Sequence, residues 1–129
     1  MSAPHEAQRI FAMARKDWQA LQGMVDTTVF ADEIMGFHAQ QAIEKALKAW
    51  ISALGAEHPR THDLGRLLLA LEGLGADVTP FRSLMAYSAF GVQFRYEAFD
   101  DEDEDPLDRP KVVQEVGSLI RAVEARLSS

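Results

Sequence analysis

The stretch from Phe37 to Trp50 limits what this chain can fold into more than any other. Alanines stand at 39, 42, 46, 49 and 53, at spacings of three and four that place them on one helical face. A stripe of small side chains lets a second helix approach closely. A second stripe at the same spacing, Ile43, Leu47, Trp50 and Leu54, is large and apolar. A third holds His38, Gln41, Lys45 and Lys48. One helix therefore offers a face for close packing, a face for a bulky core and a face of hydrogen-bond donors. The polar face reads either as a solvated surface or as donors for a ligand.

The remainder of the 129 residues supplies more helices and no strand pattern. Residues 4–22 read as a first helix, with Ala7, Ile10, Ala14, Trp18, Leu21 and Val25 facing inward and Arg9, Arg15, Lys16 and Asp17 outward. Asp32 is the expected N-cap of the second helix, which runs from Glu33 to about Leu54, and Gly55 its C-cap glycine. Gly36 inside that helix serves close packing. Pro59 breaks the chain before a third helix that opens at Thr61 or His62, with Asp63 in its first turn. Leu64, Leu67, Leu68 and Leu71 form its apolar face, and Gly73 and Gly75 close it. A fourth helix begins at Asp77 or Thr79 with Pro80 in its first turn, and runs through an aromatic region to Tyr96. The fifth begins at Asp108 or Arg109 and carries Val112, Val116, Ile120, Val123 and Leu127. Short links imply antiparallel neighbours. The expected architecture is an all-α, antiparallel four-to-five-helix bundle forming a single domain over residues 1–129.

Net charge is −7, and nearly all of it comes from Asp100, Asp101, Glu102, Asp103, Glu104 and Asp105. These lie in an expected acidic loop over about 99–109. The run is either solvated or a docking element for a basic partner. It lacks the glycine and the spacing of a calcium loop. A basic footprint spread over the surface is absent. The chain has no cysteine, which excludes disulfides and thiolate chemistry and suits a reducing cytoplasm. No apolar run approaches the ~20 residues of a membrane span. His58, His62 and Asp63 carry a spacing that zinc sites use. Pro59 lies between the imidazoles, which need not face each other, so no metal or cofactor is expected. His62 is read instead as a cap or buried hydrogen-bonder of the third helix.

The run Phe37-His38-Ala39-Gln40-Gln41-Ala42-Ile43-Glu44-Lys45-Ala46-Leu47-Lys48-Ala49 closely resembles the second-helix signature of HEPN domains (higher eukaryotes and prokaryotes nucleotide-binding). Three further matches follow the family's order. Ala14 with Asp17-Trp18 resembles its first helix, Thr61-His62-Asp63-Leu64 the start of its third, and Phe94-Arg95-Tyr96 the end of its fourth. The resemblance implies a helical bundle that usually dimerises, and a nucleotidyltransferase as partner. Many members are metal-independent ribonucleases, frequently toxins, with an arginine, four to six intervening residues, and then a histidine. That pair could move the 2′-hydroxyl proton and stabilise the pentavalent phosphate. This chain departs from the pattern. Its last histidine is His62, and Arg95 is followed by Tyr96-Glu97-Ala98-Phe99-Asp100 and the other acids, which would repel a phosphate backbone.

The resemblance therefore implies a homodimeric interaction or nucleotide-binding module more than a catalyst. His38, Gln41, Lys45, Arg95 and Tyr96 are the candidate nucleotide or RNA ligands, and the acids from Asp100 to Asp105 the candidate partner-docking surface. Each has a plainer alternative. His38, Gln41 and Lys45 can form a helix–helix or dimer seam. Arg95 can pair with the acidic loop, and Tyr96 can be core. The alternative function is a divergent, metal-independent RNA endonuclease using Arg95 with His38 or His62 contributed in space.

Overall fold

The computed structural model describes residues 4–26, 29–90 and 106–128. All regular structure among them is helical, as expected. In order come α1 (His5–Gly23), α2 (Asp32–Ala53), α3 (Leu64–Gly73), a 3-10 helix (Thr79–Tyr87) and α4 (Arg109–Ser128). The α1–α2 pairing is antiparallel: Glu6, early in α1, meets His58 beyond the end of α2, while Asp17 meets Lys45 in mid-helix. No helix among the described residues is long and apolar enough to cross a membrane.

The hub is α2, because every other element packs on it and α1 most extensively. Ala39, Ala42, Ala46 and Ala49 are completely buried, as are Ala7 and Ala14 of α1. The alanine stripe is covered by helices of the same chain, so it is not the surface on which a second copy would dock. Ile43, Leu47 and Trp50 are equally buried, and the Trp50 ring meets Phe81 edge-on with centroids 5.9 Å apart. Leu54 departs from the expected stripe and is exposed, because the helix ends at Ala53 and Leu54 serves as its C-cap. Gly55 then takes φ +84°, and the amides of Gly55 and Ala56 reach back to the carbonyls of Ser52 and Ile51. Only a residue without Cβ turns there at no steric cost.

Several expected roles shift. Val25 is exposed because α1 stops at Gly23, and Phe11 takes a core place instead. Trp18 is only partly buried: its indole N–H donates to the Val113 carbonyl at 3.1 Å, and its ring covers Gly117 of α4. Asp32 does not cap α2. Ala31 holds that position without a side-chain bond, and the Asp32 carboxylate accepts instead from Arg109 and from the Leu107 amide. Asp63 is the N-cap of α3 rather than part of its first turn, accepting from the Gly65 amide at 2.9 Å. A short carboxylate satisfies an orphan donor better from the cap than from within the helix.

The fourth element differs in pitch. Phe81, Leu84 and Tyr87 are buried at a strict spacing of three, which aligns on one face of a 3-10 helix and would drift around an α-helix. Pro80 at its start leaves no amide to satisfy. Val112, Val116, Ile120, Val123 and Leu127 of α4 all point inward, as their spacing predicts.

Candidate functional site

The polar stripe of α2 is braced by two carboxylates. Asp17, expected on the outside of α1, faces α2. Its Oδ2 accepts from Lys45 Nζ at 2.6 Å and its Oδ1 lies 3.5 Å from His38 Nδ1. Glu44, which immediately precedes Lys45 in α2, is 5% exposed. Its Oε2 accepts from Lys48 Nζ at 3.0 Å, and its Oε1 accepts from both Gln40 Nε2 and His62 Nδ1 at 2.9 Å.

Gln40 is fully buried and joins these groups into one network. Its amide nitrogen also donates to the His62 carbonyl at 3.3 Å, so both hydrogens are used, and its Oε1 accepts from Gln41 Nε2 at 2.7 Å. A buried amide satisfied on both sides is rigid. The network ties the residues before α3 to the middle of α2 and sets the His62 ring in place. That ring is nevertheless 62% exposed.

Electrostatics decide the state of Glu44. Burial pushes its carboxyl up, but the bonds from Gln40, Lys48 and His62 together hold it below the usual carboxylate range. It is thus an anion, which can only accept hydrogen bonds. The proton between Glu44 and His62 accordingly sits on Nδ1, and a neutral imidazole presents its Nε2 lone pair outward. Lys45 and Lys48 are balanced by Asp17 and Glu44. The face is a set of oriented donors and one acceptor rather than a bare basic patch.

His38 and Lys45 meet at Asp17, whereas Gln41 is joined to His62 through Gln40 and Glu44. The structure does not bring His62 to His58. His58 Nε2 is 3.8 Å from Glu6, His62 faces Glu44, and Asp63 caps α3, so the zinc-like spacing does not converge. No group of three or more potential metal ligands occurs among the described residues. His62 is neither a cap of α3 nor buried; its bond goes across to α2. Arg95, Tyr96 and the acids Asp100, Asp101, Glu102, Asp103, Glu104 and Asp105 lie outside the described residues.

Sequence reasoning missed Asp17, Gln40 and Glu44. The spacing of Gln40, Glu44 and Lys48, four residues apart each time, was a readable signal of side chains meeting along a helix. Asp17 had no such signal, since its partners lie on another helix.

The HEPN domain model matches residues 7–126. No curated protein and no solved structure matches the chain. The match takes in α1, α2 and the His62 segment that together build the polar network. The chain belongs to the HEPN domain family.

Proposed function

We propose that this chain is a homodimeric HEPN-type module that binds a nucleotide through the polar face of α2 and works beside a nucleotidyltransferase without cleaving RNA itself. The carrying observation is the preorganised donor set: His38, Gln41 and Lys45 are each held by a bond to Asp17 or Gln40 before any ligand arrives. Lys45 has three ammonium protons and uses one on Asp17, which leaves donors for a phosphate. Preorganised donors lower the ordering cost of binding. The missing Arg-x4–6-His pair supports a binding role over a catalytic one. In calorimetry, ATP should bind, and Lys45→Ala should weaken it. Co-purification with a nucleotidyltransferase encoded beside it, and a light-scattering mass of two chains, test the partner and the dimer. A mass of 14.3 kDa, that of one chain, overturns the dimer.

One observation favours the second reading, a metal-independent ribonuclease. The Glu44 carboxylate on His62 Nδ1 orients an imidazole as a general base is oriented. Arg95 would stabilise the phosphate. Structured RNA incubated without metal, beside Arg95→Ala and His62→Ala, tests it. No cleavage by the wild-type protein removes this reading.

A further inference from the structure

The geometry points to His62 Nε2 as a hydrogen-bond acceptor for a ribose hydroxyl of the bound nucleotide, with Glu44 as the positioning residue that fixes the imidazole tautomer. The inference rests on the nucleotide-binding reading above and adds the sugar to it.

The argument starts from donor and acceptor inventory. Every polar atom of the network below the ring is already matched. Gln40 Nε2 serves Glu44 and the His62 carbonyl, Gln40 Oε1 serves Gln41, and the two Glu44 oxygens serve Gln40, His62 and Lys48. The group left over is His62 Nε2, which has no hydrogen-bond partner among the described residues, on a ring 62% open to solvent. Because Nδ1 must donate to the Glu44 carboxylate, Nε2 carries the lone pair of the neutral ring. A lone pair repels phosphate oxygens and welcomes an O–H. The phosphate-seeking group is Lys45, which directly follows Glu44 in α2, so the cation is next in sequence to the carboxylate that holds the acceptor ring. A nucleotide has the matching pair of groups, an acceptor-only phosphate and a ribose whose hydroxyls donate. The rigid base of the dyad matters here: a free neutral imidazole exchanges tautomers, whereas one held by a buried carboxylate keeps its proton on Nδ1.

The test compares ATP with 2′,3′-dideoxyATP by calorimetry, on the wild-type protein and on His62→Ala. His62 is exposed enough for that variant to fold. The wild-type protein should bind ATP about fivefold more tightly than the dideoxy analogue, the size of one hydrogen bond in partial contact with water. His62→Ala should bind the two alike, at the affinity the wild-type protein shows for the analogue. Glu44→Gln should narrow the preference, a readout that a purely structural role would not move. The 2′- and 3′-deoxy nucleotides then locate which hydroxyl is read. Equal wild-type affinity for ATP and the dideoxy analogue overturns the inference and leaves nucleotide binding standing. An unchanged preference in His62→Ala does the same. No binding of either nucleotide overturns both.

Discussion

Arg109 and Asp32, 77 residues apart, are joined by two hydrogen bonds onto a single carboxylate oxygen. Nη2 donates to Oδ1 at 2.7 Å and Nε at 3.2 Å. The same guanidinium donates to the carbonyls of Met24 and Phe30, at 2.7 and 2.6 Å. One buried cation thereby ties the start of α4 to the end of α1, the entry to α2 and the link between them. Asp32 also accepts from the Leu107 amide, so it receives the chain on the near side of α4 as well.

Arg109→Lys should cost nearly as much as Arg109→Ala. Lysine keeps the charge but has no planar fork to reach the carboxylate and two carbonyls together. Removing one partner of a buried pair costs about 3–5 kcal/mol, because the other is left uncompensated. Urea unfolding followed by circular dichroism should show both variants losing stability of that order. A lysine variant within about 1 kcal/mol of wild type would contradict the geometric account.

Gly36→Ala should destabilise the protein although alanine favours helix. A Cβ at position 36 would overlap the Phe90 ring, and that ring is stacked on Tyr87 with centroids 6.3 Å apart. Overpacking of this kind costs about 1–3 kcal/mol, more than the ~1 kcal/mol gained in helix propensity. Thermal unfolding at neutral pH measures the balance; a raised melting temperature would show that Phe90 yields freely.

Glu44 should contribute stability that depends on acid. Its folded value lies below the ordinary carboxylate range, held there against burial by Gln40, Lys48 and His62. The contribution is therefore full above the unfolded value and disappears as pH falls through the folded one. Glu44→Gln should be less stable than wild type at pH 6 by ~1–3 kcal/mol, the size of hydrogen bonds to a charged group. The gap should close as the solution is taken well below the carboxylate range. A gap that stays constant with pH would mean the charge of Glu44 is not what matters.

Tyr87 supplies the opposite end of the scale. Burial, with help from the charges of Glu115 and Asp108, pushes its phenol up to about 12. In the unfolded chain it ionises near its ordinary value of 10.0. The folded protein holds the proton longer, so this contribution is complete below the unfolded value and falls as pH rises towards the folded one. Denaturation of Tyr87→Phe and wild type between about pH 10 and 12 should show the wild type losing stability faster. Parallel slopes would place the phenol in water.

Much of the site lay in plain view as residue types, and little of it as contacts. His38, Gln41 and Lys45 were legible because α2 obeys a helical period, which puts them on one face whatever surrounds the helix. Their bracing was not. Asp17 looks like any surface carboxylate of α1 until α1 is laid against α2, and Gln40 and Glu44 look like polar residues on a helix edge. The burial of Arg109 is the same case: an arginine beside a proline at a helix start reads as solvent-facing, and only the approach of the distant α1–α2 link encloses it.

The local sequence determined the helices, the left-handed turn at Gly55, the inward valines of α4 and the family. These follow from side-chain spacing and backbone sterics within a few residues, which no neighbour can change. The fourth helix was expected from the sequence, but its 3-10 pitch emerged only in the structure, where Phe81, Leu84 and Tyr87 are all buried. The tertiary structure decided which polar groups are sheltered and whom they meet. Hydrogen bonds need donor and acceptor within about 3 Å, and that distance depends on how each helix is rotated and shifted against the next. Residue spacing leaves both quantities open. So the donor stripe of α2 belongs to the sequence, and the carboxylate that turns the lone pair of His62 outward belongs to the fold.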